Sequence, residues 1–188
     1  MSNQSPLTIG SIAPLFTANS FSRGTFMEID LSNYKGKYVL LFFYVNDFYP
    51  LSCTELLALN EIKDKIEGIN TILLACSSDS LHSHRHYFYE PLERGGTPDI
   101  DFPLLSDTSG TISDLYNARI TQGELKGHTS PSTYLIDRNG IIKYFNHIDP
   151  HIGRNIDEVF RTIQAVIYSD DNGEIDPMNW IDDKDTKN

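Results

Sequence analysis

The run YVLLFFY at residues 38–44 constrains the fold of this chain more than any other segment. Aromatic and aliphatic residues occupy every position, so the segment has no polar face. Short continuous apolar runs are typical of strands that are buried on both sides of a sheet. A sheet of that kind needs helices on both faces. The run therefore predicts an α/β protein with a covered central sheet.

Helical and extended patterns alternate along the rest of the chain. In residues 54–68 leucine and isoleucine recur at steps of three and four, which is typical of an amphipathic helix. The Asn139-Gly140 pair predicts a hairpin turn, because this pair suits the positive φ of such turns. The other predicted elements are strands at 71–78, 102–107, 133–137 and 141–148 and helices at 79–96, 111–118 and 156–170.

Composition argues against two classes of partner. The 188 residues are 39% hydrophobic, which suffices for one sizeable core. The formal net charge of −11 argues against nucleic acid, whose binding depends on clustered Lys and Arg. The first residues lack a basic signal-peptide region, and no apolar run approaches the roughly 18 residues of a membrane span. We expect a cytoplasmic protein that binds neither nucleic acid nor membrane.

The two cysteines, Cys53 and Cys76, are too few for a disulfide framework and fit a reducing compartment. Cys76 lies in a predicted buried strand and is interpreted as part of the core. Cys53 lies at the start of a predicted helix, where N-terminal partial charges can lower the pKa of a thiol from about 8.5. Ser52 and Glu55 fit a capping box, with Ser52 as the N-cap residue of that helix.

The spacing of two histidines raises a metal hypothesis. His82 and His86 are four residues apart on a predicted helix, which places two candidate ligands on one face. No cysteine or carboxylate is arranged in the sequence to complete such a site. We therefore interpret both histidines as part of a solvated helix face and expect no metal and no cofactor.

The predicted order, strand-helix-strand-helix followed by a hairpin and a closing helix, is that of a thioredoxin-like fold. Longer segments carry a closer likeness: IGSIAPLF (9–16), LSNYKGKYVLLFFY (31–44), SDSLHSHRHYF (78–88), ERGGTPDIDFPLLSD (93–107) and IGRNIDEVFRTIQAVIYSDDNGE (152–174). In these segments, and in Pro177 and Trp180, the chain resembles the typical two-cysteine peroxiredoxins of the alkyl hydroperoxide reductase and thioredoxin peroxidase type. The resemblance implies a peroxiredoxin-type fold, a central mixed sheet flanked by helices, over residues 1–170. An acidic C-terminal arm is expected at 171–188.

The departures from the family pattern lie where the family does its chemistry. The family motif is Pro-x-x-x-Thr-x-x-Cys followed by Pro-Thr-Glu, and Thr54-Glu55 match its end. The resemblance implies replacements at several functional positions: Val45 for proline, Tyr49 for threonine, Ser52 for the peroxidatic cysteine, Cys53 for the next proline, Pro131 for the catalytic arginine and Asp176 for the resolving cysteine. Matching residues remain around them: Asp47, Phe48, Glu55, His84 and Arg154.

These replacements favour a family member that has lost thiol peroxidase activity. Peroxide reduction requires a thiolate that attacks the O–O bond and becomes a sulfenic acid, which a serine hydroxyl cannot do. The resemblance implies homodimers that assemble into decamer-type rings, and symmetric assembly does not depend on an active site. The expected role is a non-catalytic oligomeric, chaperone-like or modulatory one, with an active peroxiredoxin or a thioredoxin-like protein as partner.

A divergent thiol-dependent peroxidase is the alternative. In it, Cys53 reduces hydrogen peroxide or alkyl hydroperoxides, with Arg154 as cationic helper and Glu55 as a further site residue. One step along a helix rotates a side chain by about 100°, so the Cys53 sulfur is not expected to point where the family receives peroxide. The loop at 119–132 is the candidate source of a replacement cation, from Arg119 or Lys126.

Overall fold

A computed structural model describes residues 7–173, 177 and 180–182 of the chain. Two compact units make up the chain, Met1–Gly153 and Arg154–Asn188. Most of the predicted acidic arm at 171–188 lies outside the described residues, so the division after residue 170 stays a prediction. No helix among the described residues is long and apolar enough to cross a membrane.

The first unit contains one mixed sheet and the helices that flank it. Its strands are β1 (Thr17–Ser22), β2 (Thr25–Asp30), β3 (Tyr38–Phe43), β4 (Thr71–Ser77), β5 (Leu104–Ser106), β6 (Ser132–Ile136) and β7 (Ile142–His147). Its helices are α1 (Pro50–Gly68), α2 (Leu81–Tyr89) and α3 (Thr111–Leu115), with short 3-10 turns at Leu31–Tyr34 and Leu92–Arg94. The sheet order is β2-β1-β5-β4-β3-β6-β7. The neighbours β3, β4 and β5 are parallel, and the remaining pairs are antiparallel.

Strand β3 lies at the centre of the core, as the apolar run predicts. All of its residues are buried on both faces of the sheet. Val39 pairs with Ile72 of β4 on one side and with Ile136 of β6 on the other. The prediction of a covered α/β sheet is therefore confirmed, and the carboxyl end of β3 leads directly toward α1.

The hairpin of β1 and β2 is absent from the sequence-based prediction. Its strands carry many polar residues, and one of them, Ser20, is fully buried with its hydroxyl donating to the Met27 carbonyl at 3.2 Å. The turn uses Arg23 and Gly24, both with positive φ, and arginine gives no turn signal. Apolar alternation was therefore too weak to reveal this pair of strands.

One predicted helix is too long, and the hairpin predicted at Asn139-Gly140 is present with a different turn conformation. The helix expected at 79–96 ends at Tyr89, because Pro91 disfavours helical backbone at Glu90, which is extended with ψ 135°. In the turn between β6 and β7, Gly140 has a φ of +80° while Asn139 is not among the residues with positive φ. This turn instead depends on Asp137, whose carboxylate accepts the N–H groups of Asn139 and Ile141 at 2.8 and 2.9 Å.

The second unit is built on α4 (Ile156–Asn172), two residues longer than the predicted helix. The Asn155 side chain caps its start by accepting the Glu158 N–H at 3.1 Å, and Gly173 ends it in the left-handed region. The Trp180 ring lies 5.2 Å from the Tyr168 ring of α4. This aromatic residue of the predicted arm therefore contacts the helix that precedes it.

Candidate functional site

Helix α1 begins earlier than predicted, and this places Ser52 and Cys53 inside its first turn. Pro50 is the first helical residue and Tyr49 is the N-cap residue, which makes no side-chain capping hydrogen bond. Proline suits this position because its fixed φ is helical and it lacks the N–H that would go unpaired. The capping box with Ser52 as N-cap is therefore wrong. Tyr49 instead directs its hydroxyl outward from the turn to the Pro150 carbonyl, at 3.2 Å.

The Cys53 thiol is buried and hydrogen-bonded as a neutral group. Its sulfur donates to the Gly96 carbonyl at 3.3 Å, and its backbone N–H already donates to the Tyr49 carbonyl. Gly96 is packed against the Glu90 carbonyl so closely that any side chain there would collide with it. Burial raises the pKa of the Cys53 thiol above its usual value. The pKa of this thiol is therefore raised even though Cys53 lies in the first turn of α1.

Tyr87 of α2 contacts this cysteine. Its side chain is fully buried, and its hydroxyl has no hydrogen-bond partner of good geometry among the described residues. The hydroxyl does lie close enough to Cys53 to oppose in part the effect of burial on the thiol pKa. The Phe48 ring packs against Tyr87 with centroids 4.9 Å apart, and Phe48 has a φ of +61°. An aromatic residue in the left-handed region is a strained backbone position, costing on the order of 1–3 kcal/mol.

A buried polar network, which apolar patterning does not predict, holds the segment before α1. The Asp47 carboxylate accepts the Tyr44 hydroxyl at 2.9 Å and the Ser83 hydroxyl at 2.7 Å. His84 is fully buried, with Nδ1 3.0 Å from Asp47 and Nε2 3.2 Å from the Leu105 carbonyl. Since a carbonyl only accepts, Nε2 carries a proton, and Nδ1 faces a carboxylate. His84 and Asp47 therefore form a buried, hydrogen-bonded pair.

Asp79 adds a second carboxylate to this network. It accepts the Asp47 backbone N–H at 2.8 Å and the Ser77 hydroxyl at 2.9 Å. Burial, followed by the nearby Asp47 charge, raises the pKa of Asp79. The resemblance to the family singled out Asp47 and His84 individually. Tyr44, Asp79 and Ser83 also lie in segments that resemble the family, but their contacts with Asp47 arise only from tertiary packing.

The other expected site residues are distributed over several elements. Glu55 is buried on α1, Val45 is buried after β3, and Pro131 is buried immediately before β6. Arg154 is the first residue of the second unit. Asp176 lies outside the described residues. Cys76 is fully buried in β4, as predicted for a core residue, and neither cysteine forms a disulfide.

The loop at 119–132 reaches the carboxyl ends of β3 and β4 through its C-terminal part. Thr129 donates its hydroxyl to the Tyr44 and Val45 carbonyls, and His128 Nδ1 lies 3.2 Å from the Ser78 hydroxyl. Arg119 instead pairs with Asp114 at 3.0 Å and lies against Gly110 of the α3 cap. The candidate cation Arg119 is therefore engaged by an acidic partner next to α3.

The histidines on α2 have separate surroundings. His82 packs its ring edgewise on Phe26, with centroids 5.8 Å apart, and His86 lies 3.5 Å from Glu90. Both rings are exposed. Within the described part of the chain, no group of three or more His, Cys, Asp or Glu residues is arranged to hold a metal ion.

Comparisons with known proteins match this architecture. The family model described as the AhpC/TSA family matches residues 9–145. Peroxiredoxin-4 from Dictyostelium discoideum is 38% identical over 168 residues, covering 89% of this chain and 64% of that protein. Peroxiredoxin prdx-2 from Caenorhabditis elegans is 35% identical over 178 residues, covering 95% of this chain and 87% of that protein. The crystal structure of reduced 2-Cys peroxiredoxin from Plasmodium vivax superposes with a TM-score of 0.88 and 35% identity, over 95% of this chain and 91% of that one.

Proposed function

The chain belongs to the AhpC/TSA family of peroxiredoxins, and from this premise we propose that it has lost efficient thiol peroxidase activity. The observation that carries the proposal is the state of Cys53, the thiol in the first turn of α1. That thiol is buried, donates its hydrogen to a carbonyl and has a raised pKa. Each of these properties favours the neutral thiol, whereas the thiolate is the form that attacks peroxide.

The residue beside it cannot replace the thiol. The resemblance to the family motif assigns the peroxidatic position to Ser52, which is buried in the third position of α1. A serine hydroxyl does not ionise near neutral pH and forms no sulfenic acid. The same resemblance places Pro131 at the position of the catalytic arginine, and Arg119 of the loop at 119–132 is paired with Asp114. These positions supply neither the nucleophile nor the cation that the family reaction requires.

The retained fold supports a role that does not depend on peroxide chemistry. The structural match to a 2-Cys peroxiredoxin extends over 95% of the chain, and the core around β3 is completely buried. We propose that the protein assembles as a homodimer and a decamer-type ring in the cytoplasm. In that form it acts as a chaperone-like component or modulates an active peroxiredoxin or a thioredoxin-like partner. Two free cysteines suit a reducing compartment.

One observation favours the alternative of a divergent peroxidase that uses Cys53. The Tyr87 hydroxyl faces the thiol and opposes in part the effect of burial on its pKa. A phenol in that position would donate a hydrogen bond to a thiolate or to a sulfenate oxygen. In this alternative, Arg154 would be the cationic helper.

Hydrogen peroxide consumption by the reduced protein separates the two functions. We expect wild type to consume peroxide no faster than free cysteine at the same thiol concentration, and Cys53→Ser to change this slow rate little. Mass spectrometry after trapping with a sulfenic-acid reagent identifies any oxidised residue. Rapid consumption that is abolished in Cys53→Ser, with trapped Cys53, would establish the divergent peroxidase. Native mass spectrometry of the protein alone and with an active peroxiredoxin tests the proposed rings and mixed rings.

A further inference from the structure

A cleft at the amino end of β3 has the composition of a ligand site. It has a volume of about 340 Å³ and lies between residues 12–15, the segment 31–39 and the turn 136–140. Its floor is apolar: Ala13, Leu31, Val39 and Ile136 are buried. Its wall includes Ile12 and Leu15, which are 76% and 65% exposed. Concave apolar sites with a few polar groups are typical of small-molecule binding.

Two lysines give the cleft a positive rim. Lys35 and Lys37 both line it, both are exposed, and neither belongs to an ion pair among the residues that the structure describes. The acidic residue in the lining, Asp137, is buried and directs its carboxylate to the N–H groups of Asn139 and Ile141. Unpaired basic residues are notable in a chain with a net charge of −11. Within the described part of the chain neither lysine forms an ion pair, so the rim offers two ammonium groups to a ligand.

We propose that this cleft binds a small amphiphilic carboxylate, with its alkyl chain on the apolar floor and its head group at Lys35 and Lys37. Ile12 and Leu15 form an exposed apolar wall, so an alkyl chain would gain free energy by covering it. A carboxylate would gain charge-assisted hydrogen bonds from the ammonium groups. The cleft and Cys53 lie at opposite ends of β3, so the site is independent of the proposed loss of peroxidase activity.

Titration with sodium decanoate below its micelle concentration, followed by amide NMR of the full chain, tests the proposal. We expect saturable shifts centred on Leu15, Leu31 and Lys37, and weaker binding of decanol, which has the same chain without the charge. The double variant Lys35→Gln/Lys37→Gln should weaken decanoate binding about fivefold, since exposed ion pairs contribute modestly. The matched control Lys65→Gln/Lys126→Gln makes the same charge change on exposed lysines outside the cleft and should leave the affinity unchanged.

The apolar part of the cleft is tested separately. Leu15→Ser should weaken decanoate binding about threefold by removing apolar contact area. Ile9→Ser is its control, because Ile9 is also exposed but does not line the cleft. Equal affinity for decanol and decanoate, equal loss in the control variants, or the absence of saturable binding would overturn the proposal. Shifts at the cleft that depend on protein concentration and not on decanoate would assign it to a second copy of the chain and would also overturn it.

Discussion

The Asp47 network and the Cys53–Tyr87 pair lie next to each other at the start of α1, yet they differ in how well their polar groups are satisfied. Around Asp47, the Tyr44 and Ser83 hydroxyls and both His84 nitrogens have hydrogen-bond partners. Beside Cys53, the buried Tyr87 hydroxyl lacks a partner of good geometry within the described part of the chain.

This difference separates the part of the site that supports the fold from the part that would do chemistry. A satisfied buried network rigidifies its surroundings, whereas an unpaired buried group costs stability. The first region fixes Asp47, the residue immediately before the strained Phe48. The second region contains Cys53, the thiol near the start of α1, in surroundings that favour its neutral form.

Removal of the buried histidine should be the most damaging single change. His84→Ala leaves the Asp47 carboxylate buried without its main partner, so we expect a loss of about 3–5 kcal/mol in the free energy of unfolding. Urea denaturation followed by circular dichroism measures it. His82→Ala, an exposed histidine on the same helix, is the control and should cost less than about 0.5 kcal/mol. Similar losses in both variants would show that the His84–Asp47 pair does not stabilise the fold.

The same substitution in both regions should have different effects. Tyr44→Phe removes a hydroxyl that donates to the Asp47 carboxylate, which should cost about 1.5–3 kcal/mol. Tyr87→Phe removes a buried hydroxyl without a good partner, so we expect a change between about −1 and +0.5 kcal/mol. Thermal and urea unfolding of the two variants measure this contrast. A larger loss for Tyr87→Phe would reverse the comparison.

Alkylation of the native protein by iodoacetamide across pH reports the ionisation of Cys53. Because burial raises the pKa of this thiol, we expect its rate to rise at a higher pH than that of free cysteine. Tyr87→Phe should move the rise to still higher pH, since the Tyr87 hydroxyl lowers the thiol pKa. Peptide mass spectrometry distinguishes Cys53 from Cys76, whose complete burial should protect it. A rise at or below the pH of free cysteine would favour the divergent peroxidase.

The smallest effect is expected at Asp79. Its raised pKa means that the folded structure disfavours the charged carboxylate at this position. The Asp79 carboxyl binds a proton more tightly in the folded protein than in the unfolded chain. Protonated Asp79 therefore adds to the free energy of unfolding, and this contribution is fully present below the unfolded pKa of about 3.8. It is lost as pH rises through the folded pKa. Asp79→Asn should make the free energy of unfolding depend less on pH between the unfolded and the folded pKa of Asp79. At neutral pH it should change this free energy by less than about 1 kcal/mol.

The control for Asp79→Asn is Glu28→Gln, which neutralises an exposed carboxylate on β2. Unfolding free energies measured between pH 4 and 7 should keep the wild-type slope in this control. If Asp79→Asn also keeps that slope, the Asp79 carboxyl titrates alike in the folded and unfolded states.

Apolar patterning predicted the elements that form the core. Strands β3 and β4 and the interiors of α1 and α4 follow it closely, because their burial requires regular apolar residues. The hairpin of β1 and β2 was missed since its buried positions include polar residues such as Ser20, which are satisfied by contacts across the turn. The start of α1 was misplaced because a capping box at Ser52 and a proline at Pro50 are both valid signals for a helix start, and only one of them is used.

The sequence by itself determined the family, the central sheet and the presence of a serine and a cysteine at the start of α1, since these depend on residue types and their order. Only the tertiary structure decided what those residues can do. The pKa of Cys53 follows from its burial and from the Gly96 carbonyl and Tyr87, which lie far from it in sequence. The Asp47–His84 pair and the lysine-rimmed cleft likewise arise where separate segments meet. Ionisation and binding depend on such surroundings, and local sequence does not contain them.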